Sequence, residues 1–327
     1  MKAFRLVLIL LACALPLGAM EHPDRNAAIL IFDGVQIIDY AGPYEVFGQA
    51  GFRVFTVAAS PEPITTSMGM KVTPAYTLAQ APPAQVLIIP GGGVDATVDN
   101  AAVISWIRER AATAQHVLTV CNGAFILAKT GLLDGLSATT FYDLIPDLKE
   151  AAPKTRIVSD QRYVDNGKII TTAGLSSGID GSLHVIERML GNGEAQKVAL
   201  NMEYDWRPDS GYARASLADH ELRRLFGRRL HVEVPGGGEA KVLSTAGTRD
   251  RWETRWEIKT ATPLADLQAA LTKYLTESKW TPREGSAGEW RFTDAEKRAW
   301  KAAVDLKPAA GKAGEYQMAI RLERAGT

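Results

Sequence analysis

Short apolar segments alternate with amphipathic segments from residue 27 to about residue 207. Four apolar runs, rich in β-branched residues and typical of buried strands, lie at 27–32, 52–60, 85–93 and 116–120. The stretches between and after them predict helices at 39–50, 94–112, 124–130 and 176–190. This alternation predicts βαβ units with right-handed crossovers and a mostly parallel sheet.

The remaining pattern predicts a hairpin and a second, smaller domain. A hairpin is expected at 162–174, because the Asn166-Gly167 pair at its centre is typical of a two-residue turn. A linker with a basic amphipathic helix is expected at 208–240, and the order β-β-α-β-β is predicted for 241–327. Five of the seven tryptophans follow residue 250. We interpret them as half-buried core residues of a small α+β domain rather than as a ligand platform.

The first residues have the pattern of a secretory signal peptide. Lys2 and Arg5 precede an apolar run of 12 residues at 6–17. In a helix this run spans about 18 Å, which is too short for the roughly 30 Å hydrocarbon core of a membrane. We therefore predict a cleaved signal peptide at 1–19, a periplasmic or secreted protein, and no membrane association after cleavage. A lipoprotein modified at Cys13 is the alternative.

The composition is that of an ordinary globular protein. The 327 residues are 46% hydrophobic and 23% charged, which argues against a disordered or fibrous chain. Lys plus Arg and Asp plus Glu both number 37, so the chain lacks the excess of basic residues that would indicate a nucleic-acid partner. The glycines at 91–93 lack the rest of a dinucleotide or P-loop motif, and no Cys/His cluster has metal-ligand spacing. Neither a cofactor nor a metal is expected.

Cys121 is the candidate reactive residue. It follows the apolar run at 116–120 and precedes Asn122, Gly123 and a predicted helix. A cysteine at such a turn is exposed above the edge of the sheet, and the N-terminus of the following helix stabilises its thiolate. The N–H groups of this turn and of the glycine loop form a suitable cradle for an oxyanion. A buried structural thiol is the alternative interpretation.

Four segments, at 33–48, 86–93, 118–135 and 171–191, resemble the ThiJ/PfpI superfamily, which shares the class I glutamine amidotransferase-like fold. They occur in the family's order within 27–207, and the strings DYAGPYEVF and GLSSGID are most similar to the isonitrile hydratase-like branch. The resemblance implies an α/β fold, a flavodoxin-like three-layer sandwich with a cysteine nucleophile elbow. It also implies a homodimer that acts on a small-molecule substrate.

The resemblance also implies roles for individual residues. Cys121 matches the nucleophile of the family, and Glu45 matches the acidic residue that hydrogen-bonds the thiol. Asp39 matches the acid that isonitrile hydratases use near the thiol, although its position also suits a helix N-cap. Gly92 and Gly93 match the backbone donors that hold a developing negative charge. A carboxyl group buried beside a negative sulfur is expected to have a raised pKa.

Two positions depart from the family's pattern. Asn122 stands where PfpI-type proteases carry a histidine and hydratases usually a threonine, and Phe141 stands where hydratase relatives commonly carry a histidine. A protease triad is therefore not expected, and isonitrile hydration becomes an open question. Asn122 is expected to offer its N–H and its side-chain amide to a substrate oxygen. His116 and His184 are expected to be structural.

The sequence therefore predicts an exported cysteine enzyme that acts on a small electrophilic carbon, in an isonitrile, an α-oxoaldehyde or an amide-type carbonyl. The Cys121 thiolate is expected to attack this carbon while Glu45, with or without Asp39, carries the proton. The alternative is a non-catalytic module of the same fold that binds a ligand or senses oxidants. The signal peptide and the near-neutral C-terminal domain argue against a DNA-binding regulator.

Overall fold

The computed structural model describes residues 25–208, 216–227, 230–248, 250–286, 288–294 and 297–326. The predicted signal peptide at 1–19, which includes Cys13, lies outside this part of the chain. Two large sheets, one of seven strands and one of six, each have their own hydrophobic core. Among the described residues, no helix combines the length and the apolar character needed to cross a bilayer.

The N-terminal domain contains a mostly parallel sheet, as the alternating pattern predicted. Its strands, with two short ladders beside the sheet, are β1 (Asn26–Leu30), β2 (Arg53–Ala58), β3 (Ile64–Thr65), β4 (Lys71–Val72), β5 (Tyr76–Thr77), β6 (Val86–Ile89), β7 (His116–Thr119), β8 (Ser137–Ala138), β9 (Arg156–Ile157), β10 (Tyr163–Asp165) and β11 (Ile169–Thr172). The order across the sheet is β10-β11-β7-β6-β1-β2-β5. Only β10 runs antiparallel to its neighbour, in the hairpin predicted around Asn166-Gly167.

Helices cover both faces of this sheet. They are α1 (Ile37–Gln49), α2 (Asp95–Val98), α3 (Ala101–Thr113), α4 (Gly123–Lys129), α5 (Ile145–Ala151), α6 (Ser177–Leu190) and α7 (Asn192–Asn201). One core lies between the sheet and α1, α6 and α7, and a second lies between the sheet and α3 and α4. Along β6, Ile88 faces the first core, whereas Leu87 and Ile89 face the second. The strands are therefore apolar on both faces, as in the predicted three-layer sandwich.

Three neighbouring strands end at the same edge of the sheet. Cys121 follows β7, the glycine loop at 91–93 follows β6, and Gly174 follows β11. An isolated bridge between Val35 and Gly92 brings the segment before α1 to this edge as well. Ligands of parallel α/β sheets bind outside the carboxyl ends of the strands, so this edge is where a functional site is expected.

Helix α1 differs from its prediction in a way that matters for the site. It begins at Ile37, so Asp39 lies within its first turn and is fully buried rather than serving as the N-cap. Pro43 lies inside the helix. Because proline has no N–H, the carbonyl of Asp39, four residues earlier, lacks its usual partner within the helix.

The helix predicted at 94–112 is divided into α2 and α3. The break comes at Asn100, whose side chain accepts hydrogen bonds from the N–H groups of Ala102 (3.1 Å) and Val103 (3.3 Å). An asparagine at the N-cap offers the backbone an alternative to continuing the first helix.

The C-terminal domain is an antiparallel sheet with two helices on one face. Its elements are α8 (Ser216–Phe226), β12 (Glu239–Gly247), β13 (Arg251–Lys259), α9 (Leu264–Glu277), β14 (Thr281–Pro282), β15 (Glu289–Thr293), β16 (Ala299–Pro308) and β17 (Glu315–Arg324). Four strands follow α9 where two were predicted. A turn at Asp294 folds 289–308 into the β15–β16 hairpin, and the short strand β14 pairs with β15. Trp256, Trp280 and Trp300 are almost completely buried, which confirms their interpretation as core residues.

Helix α8 belongs to the C-terminal core. The expected linker at 208–240 does contain a helix, but Leu222, Leu225 and Phe226 pack into the same cluster as the buried tryptophans. Glu221 is also buried, and its carboxylate accepts a 2.9 Å hydrogen bond from the indole N–H of Trp280. The apolar side of an amphipathic helix needs such a surface, and the sheet provides it.

Candidate active site

Cys121 lies in a sharp turn between β7 and α4. Its φ angle is +57°, in the left-handed region that costs a residue with a side chain about 1–3 kcal/mol. Its N–H donates to the carbonyl of Ala173 (3.1 Å), and its own carbonyl accepts from the hydroxyl of Thr140 (2.9 Å). Neighbouring segments thus hold the strained conformation, and Cys121 remains partly exposed. This is the strand–turn–helix position predicted for it.

Asp39 is the carboxyl group that meets the thiol. Its side chain is 0% exposed and forms a hydrogen bond with Cys121. The N–H groups of Leu175 and Gly91 donate to its two carboxylate oxygens, each at 3.2 Å. Burial raises the pKa of Asp39 to about 6, although the two N–H donors and the thiol act in the opposite direction. The group can therefore change its charge near neutral pH.

Glu45 does not reach the thiol, which corrects the expectation that it hydrogen-bonds Cys121. It is exposed on α1 and accepts a hydrogen bond from Gln49 (2.8 Å), one turn later. The reason is helix geometry. Six residues separate Glu45 from Asp39, which at about 100° per residue places the two side chains on different sides of the helix. Only the side of Asp39 faces the sheet edge.

The glycine loop does not offer the free donors expected of it. The N–H of Gly92 donates to Oδ1 of Asn122 (2.7 Å), and the N–H of Gly93 donates to the carbonyl of Gly34 (2.9 Å). The N–H of Gly123 likewise donates to the carbonyl of Val120 (3.0 Å). These bonds hold the loops together, so the predicted role of the three glycines as oxyanion donors is not supported by the geometry.

The side chain of Asn122 is used in the same way. Its Nδ2 donates to the carbonyl of Gly92 (2.8 Å) while its Oδ1 accepts from the same residue, so the amide is not aimed at a substrate as expected. A Cβ on Gly91 would lie 2.2 Å from this Oδ1, so the amide packs where only glycine leaves room. Among the described residues, none accepts a hydrogen bond from the backbone N–H of Asn122, so this N–H is a candidate donor to a substrate oxygen.

Phe141 and Gly174 form an apolar wall beside the thiol, and sequence reasoning did not single out Gly174 or its neighbour Leu175. A Cβ on Gly174 would lie 2.6 Å from the ring of Phe141 and 3.3 Å from Sγ of Cys121. Leu175, next to it, is 41% exposed and also has a φ angle of +57°. The position of Gly174 and Leu175 directly after the strand that neighbours β7 was the signal that could have identified them.

His116 and His184 lie at the end of the sheet opposite Cys121. His116 begins β7, and its Nδ1 lies 3.1 Å from the carbonyl of Gly167 in the hairpin turn. His184 lies between Asp165 (2.9 Å) and Glu187 (3.1 Å). Burial lowers the pKa of His116. Both contacts fit the structural role expected for them. The described residues contain no cluster of three side chains suited to a metal ion.

Comparison with known proteins identifies the family of the N-terminal domain. The model of the DJ-1/PfpI family matches residues 25–188. The protein named isonitrile hydratase from Pseudomonas putida is 35% identical over 224 residues, which are 65% of this chain and 96% of that protein. Neither the family match nor this alignment accounts for the whole C-terminal domain.

Solved structures give the same result for the fold. A ThiJ/PfpI family protein from Pseudomonas syringae has 29% identity and a TM-score of 0.53, covering 63% of this chain and 89% of that one. The match to Drosophila melanogaster DJ-1beta has 23% identity and a TM-score of 0.51, and it covers 56% of this chain and 99% of that one. At this identity it is evidence for the fold only. The chain belongs to the DJ-1/PfpI family.

Proposed function

We propose that this protein is a cysteine enzyme that adds water to a small organic isonitrile, with Cys121 as nucleophile and Asp39 as proton carrier. The observation that carries the proposal is the hydrogen bond between the thiol and a fully buried carboxyl group whose pKa is raised to about 6. Such a pKa suits a group that must both accept and release a proton near neutral pH. The similarity to the isonitrile hydratase of Pseudomonas putida supports the choice of substrate.

The first step forms a bond between sulfur and the isonitrile carbon. That carbon accepts a nucleophile and a proton on the same atom. The thiol proton passes to the Asp39 carboxylate as Sγ of Cys121 attacks, and Asp39 then delivers this proton to the carbon. The product is a thioimidate, in which the former isonitrile carbon carries one hydrogen and is bonded to nitrogen and sulfur.

The second step releases the product. Water adds to the thioimidate carbon, Asp39 accepts one of the two protons of this water, and the nitrogen takes up the other. The carbon–sulfur bond then breaks, a formamide leaves, and the thiol recovers its proton from Asp39. In this proposal the N–H of Asn122 stabilises the oxygen on this carbon. Because Asp39 transfers each proton beside the sulfur, this reaction needs no histidine at the position that Phe141 occupies.

The apolar wall suits a small substrate with little polarity. Phe141 and Gly174 offer carbon surfaces beside the sulfur to the organic group of an isonitrile. An α-oxoaldehyde carries a polar carbonyl oxygen beside the reacting carbon, which the carbon surface of Phe141 does not match. This difference favours the isonitrile over the other electrophiles considered.

The test compares two carboxylates on the same helix. The protein from residue 20 onward is given an alkyl isonitrile, and formamide production is followed by NMR, with methylglyoxal as the alternative substrate. Asp39→Asn and Cys121→Ser are expected to lose about a hundredfold or more in kcat/KM, whereas Glu45→Gln, the matched control, keeps full activity. Turnover that survives in Asp39→Asn would reject Asp39 as proton carrier. Turnover of methylglyoxal alone would reject the isonitrile. No turnover with a reactive thiol would favour the redox-sensing module.

Export and assembly are part of the same proposal. The pattern at 1–19 supports a cleaved signal and a periplasmic or secreted enzyme. The family resemblance supports a homodimer, and Tyr44, Met68 and Met70 are exposed apolar residues on α1 and the β3–β4 turn that would suit an interface. The N-terminal sequence of the exported protein and its mass in solution by light scattering test these two statements. A retained N-terminus or a monomer at micromolar concentration would contradict them.

A further inference from the structure

Helix α8 of the C-terminal domain contacts the turn beside the candidate active site. Nη1 of Arg223 donates a hydrogen bond to the hydroxyl of Tyr142, and the guanidinium carbon lies 4.9 Å from the centre of the tyrosine ring. Both side chains are partly buried. A cation stacked on an aromatic ring and bonded to its hydroxyl holds that ring in one orientation, more firmly when solvent is partly excluded.

Tyr142 packs against Phe141, which lies beside Cys121. Its ring packs against that of Phe141, with centroids 4.5 Å apart. The Phe141 ring in turn lies against Gly174 beside Sγ of Cys121. On the other side of Phe141, the hydroxyl of Thr140 bonds the carbonyl of Cys121 (2.9 Å). The segment 140–142 therefore lies beside Cys121.

The position of Arg223 is determined by the C-terminal core. Its neighbour Leu222 is 0% exposed, and Leu225 and Phe226 pack into the same cluster. Glu221, which precedes Leu222, accepts a hydrogen bond from the indole N–H of Trp280 and holds this turn of α8 in the core. Arg223 lies on the remaining side of the helix and contacts Tyr142 of the N-terminal domain. The C-terminal domain, whose role is otherwise unassigned, thus contributes a side chain to this turn.

We propose that the C-terminal domain sets the size of the opening to Cys121, with Arg223 as a positioning residue that holds Tyr142 and Phe141 against the thiol. Small reagents and substrates then reach the sulfur, and bulky ones are excluded. The proposal rests on the proposed function in treating Cys121 as the reacting group. Its test, however, uses the reactivity of the thiol and does not require turnover.

The experiment measures the rate of Cys121 alkylation by a small reagent, iodoacetamide, and by a bulky one, a fluorescein maleimide. The ratio of the bulky to the small rate is expected to rise about tenfold in Arg223→Ala, the effect that losing one cation–π contact and one hydrogen bond produces. Arg223→Lys keeps a cation over the ring and should restore most of the native ratio. Arg291→Ala, an exposed arginine of the same domain with no contact to this turn, is the matched control and should leave the ratio unchanged.

An unchanged ratio in a folded Arg223→Ala protein, with native near-ultraviolet circular dichroism from the tryptophans, would overturn the proposal. If Arg223→Ala does not fold, Tyr142→Phe replaces it. That variant keeps the ring and loses the hydroxyl, so a rise of about threefold is expected, and no rise would again overturn the proposal. Isonitrile turnover is measured in parallel. A shifted ratio without any turnover in the native protein rejects the proposed function alone, whereas turnover with an unchanged ratio rejects the role of Arg223 alone.

Discussion

The buried carboxyl group of Asp39, on the first turn of α1, hydrogen-bonds the thiol of Cys121 at the end of β7. The contact joins α1 to the turn after β7, and the N–H of Gly91 in the glycine loop donates to the same carboxylate. It places a proton acceptor at the sulfur without a histidine. The pH dependence and the sensitivity to mutation of the site both follow from this relationship.

The activity should depend on pH through Asp39. Its pKa of about 6 means that the carboxylate able to accept the thiol proton prevails above this pH and disappears below it. We expect kcat/KM for the isonitrile to fall about tenfold per unit below pH 6. Rates measured from pH 4.5 to 8 test this, with Glu45→Gln as control. A profile with no inflection near pH 6 would contradict the role of Asp39.

The stability should depend on pH in the opposite direction. The pKa of Asp39 is raised from 3.8 to about 6, so the folded state binds its proton more tightly than the unfolded state. The resulting stabilisation is complete below pH 3.8 and is lost as the pH rises through 6. It amounts to about 3 kcal/mol. Urea unfolding at pH 4 and pH 7.5 should show this loss in the native protein and not in Asp39→Asn. Equal pH dependence in the two proteins would refute it.

Gly91→Ala should damage the site. The new methyl group would lie 2.2 Å from Oδ1 of Asn122 and 2.8 Å from Cβ of Cys121, so the amide must move. We expect a loss of about 1–3 kcal/mol in unfolding free energy together with a large loss of activity. Gly48→Ala is the matched control, because its Cβ meets nothing within 4 Å and lies inside α1. It should stabilise the protein by about 1 kcal/mol. A fully active Gly91→Ala enzyme would show that the Asn122 amide is dispensable.

Asn122→Ala should destabilise the protein by removing both hydrogen bonds to Gly92. Each such bond contributes about 0.5–1.5 kcal/mol, so a loss of about 1–3 kcal/mol is expected in denaturant unfolding. The backbone N–H beside the thiol remains in this variant. Asn192→Ala, which removes an exposed bond to Glu187, is the control and should change stability by about 0.5 kcal/mol or less. Similar losses of unfolding free energy in the two variants would argue against a stabilising role for the hydrogen bonds between Asn122 and Gly92.

Much of the N-terminal domain could be predicted from the sequence, because its strands and helices have clear periods. The apolar runs marked β1, β6 and β7 correctly, and the Asn166-Gly167 pair marked the hairpin. The extent of the C-terminal sheet was underestimated, since the polar turn at Asp294 was not recognised. The role of α8 was missed as well. A basic amphipathic helix does not reveal from its own sequence which surface it covers.

The sequence by itself determined the order of strands and helices, the parallel sheet and the place of Cys121 at a strand end, because these depend on local hydrophobic periods. Only the tertiary structure decided that Asp39 rather than Glu45 meets the thiol, since burial of α1 against the sheet sets which side of the helix faces the site. It likewise decided which N–H groups are already bonded. Hydrogen bonds between loops distant in sequence, such as those joining Asn122 to Gly92, follow from the packing of whole elements rather than from any local pattern.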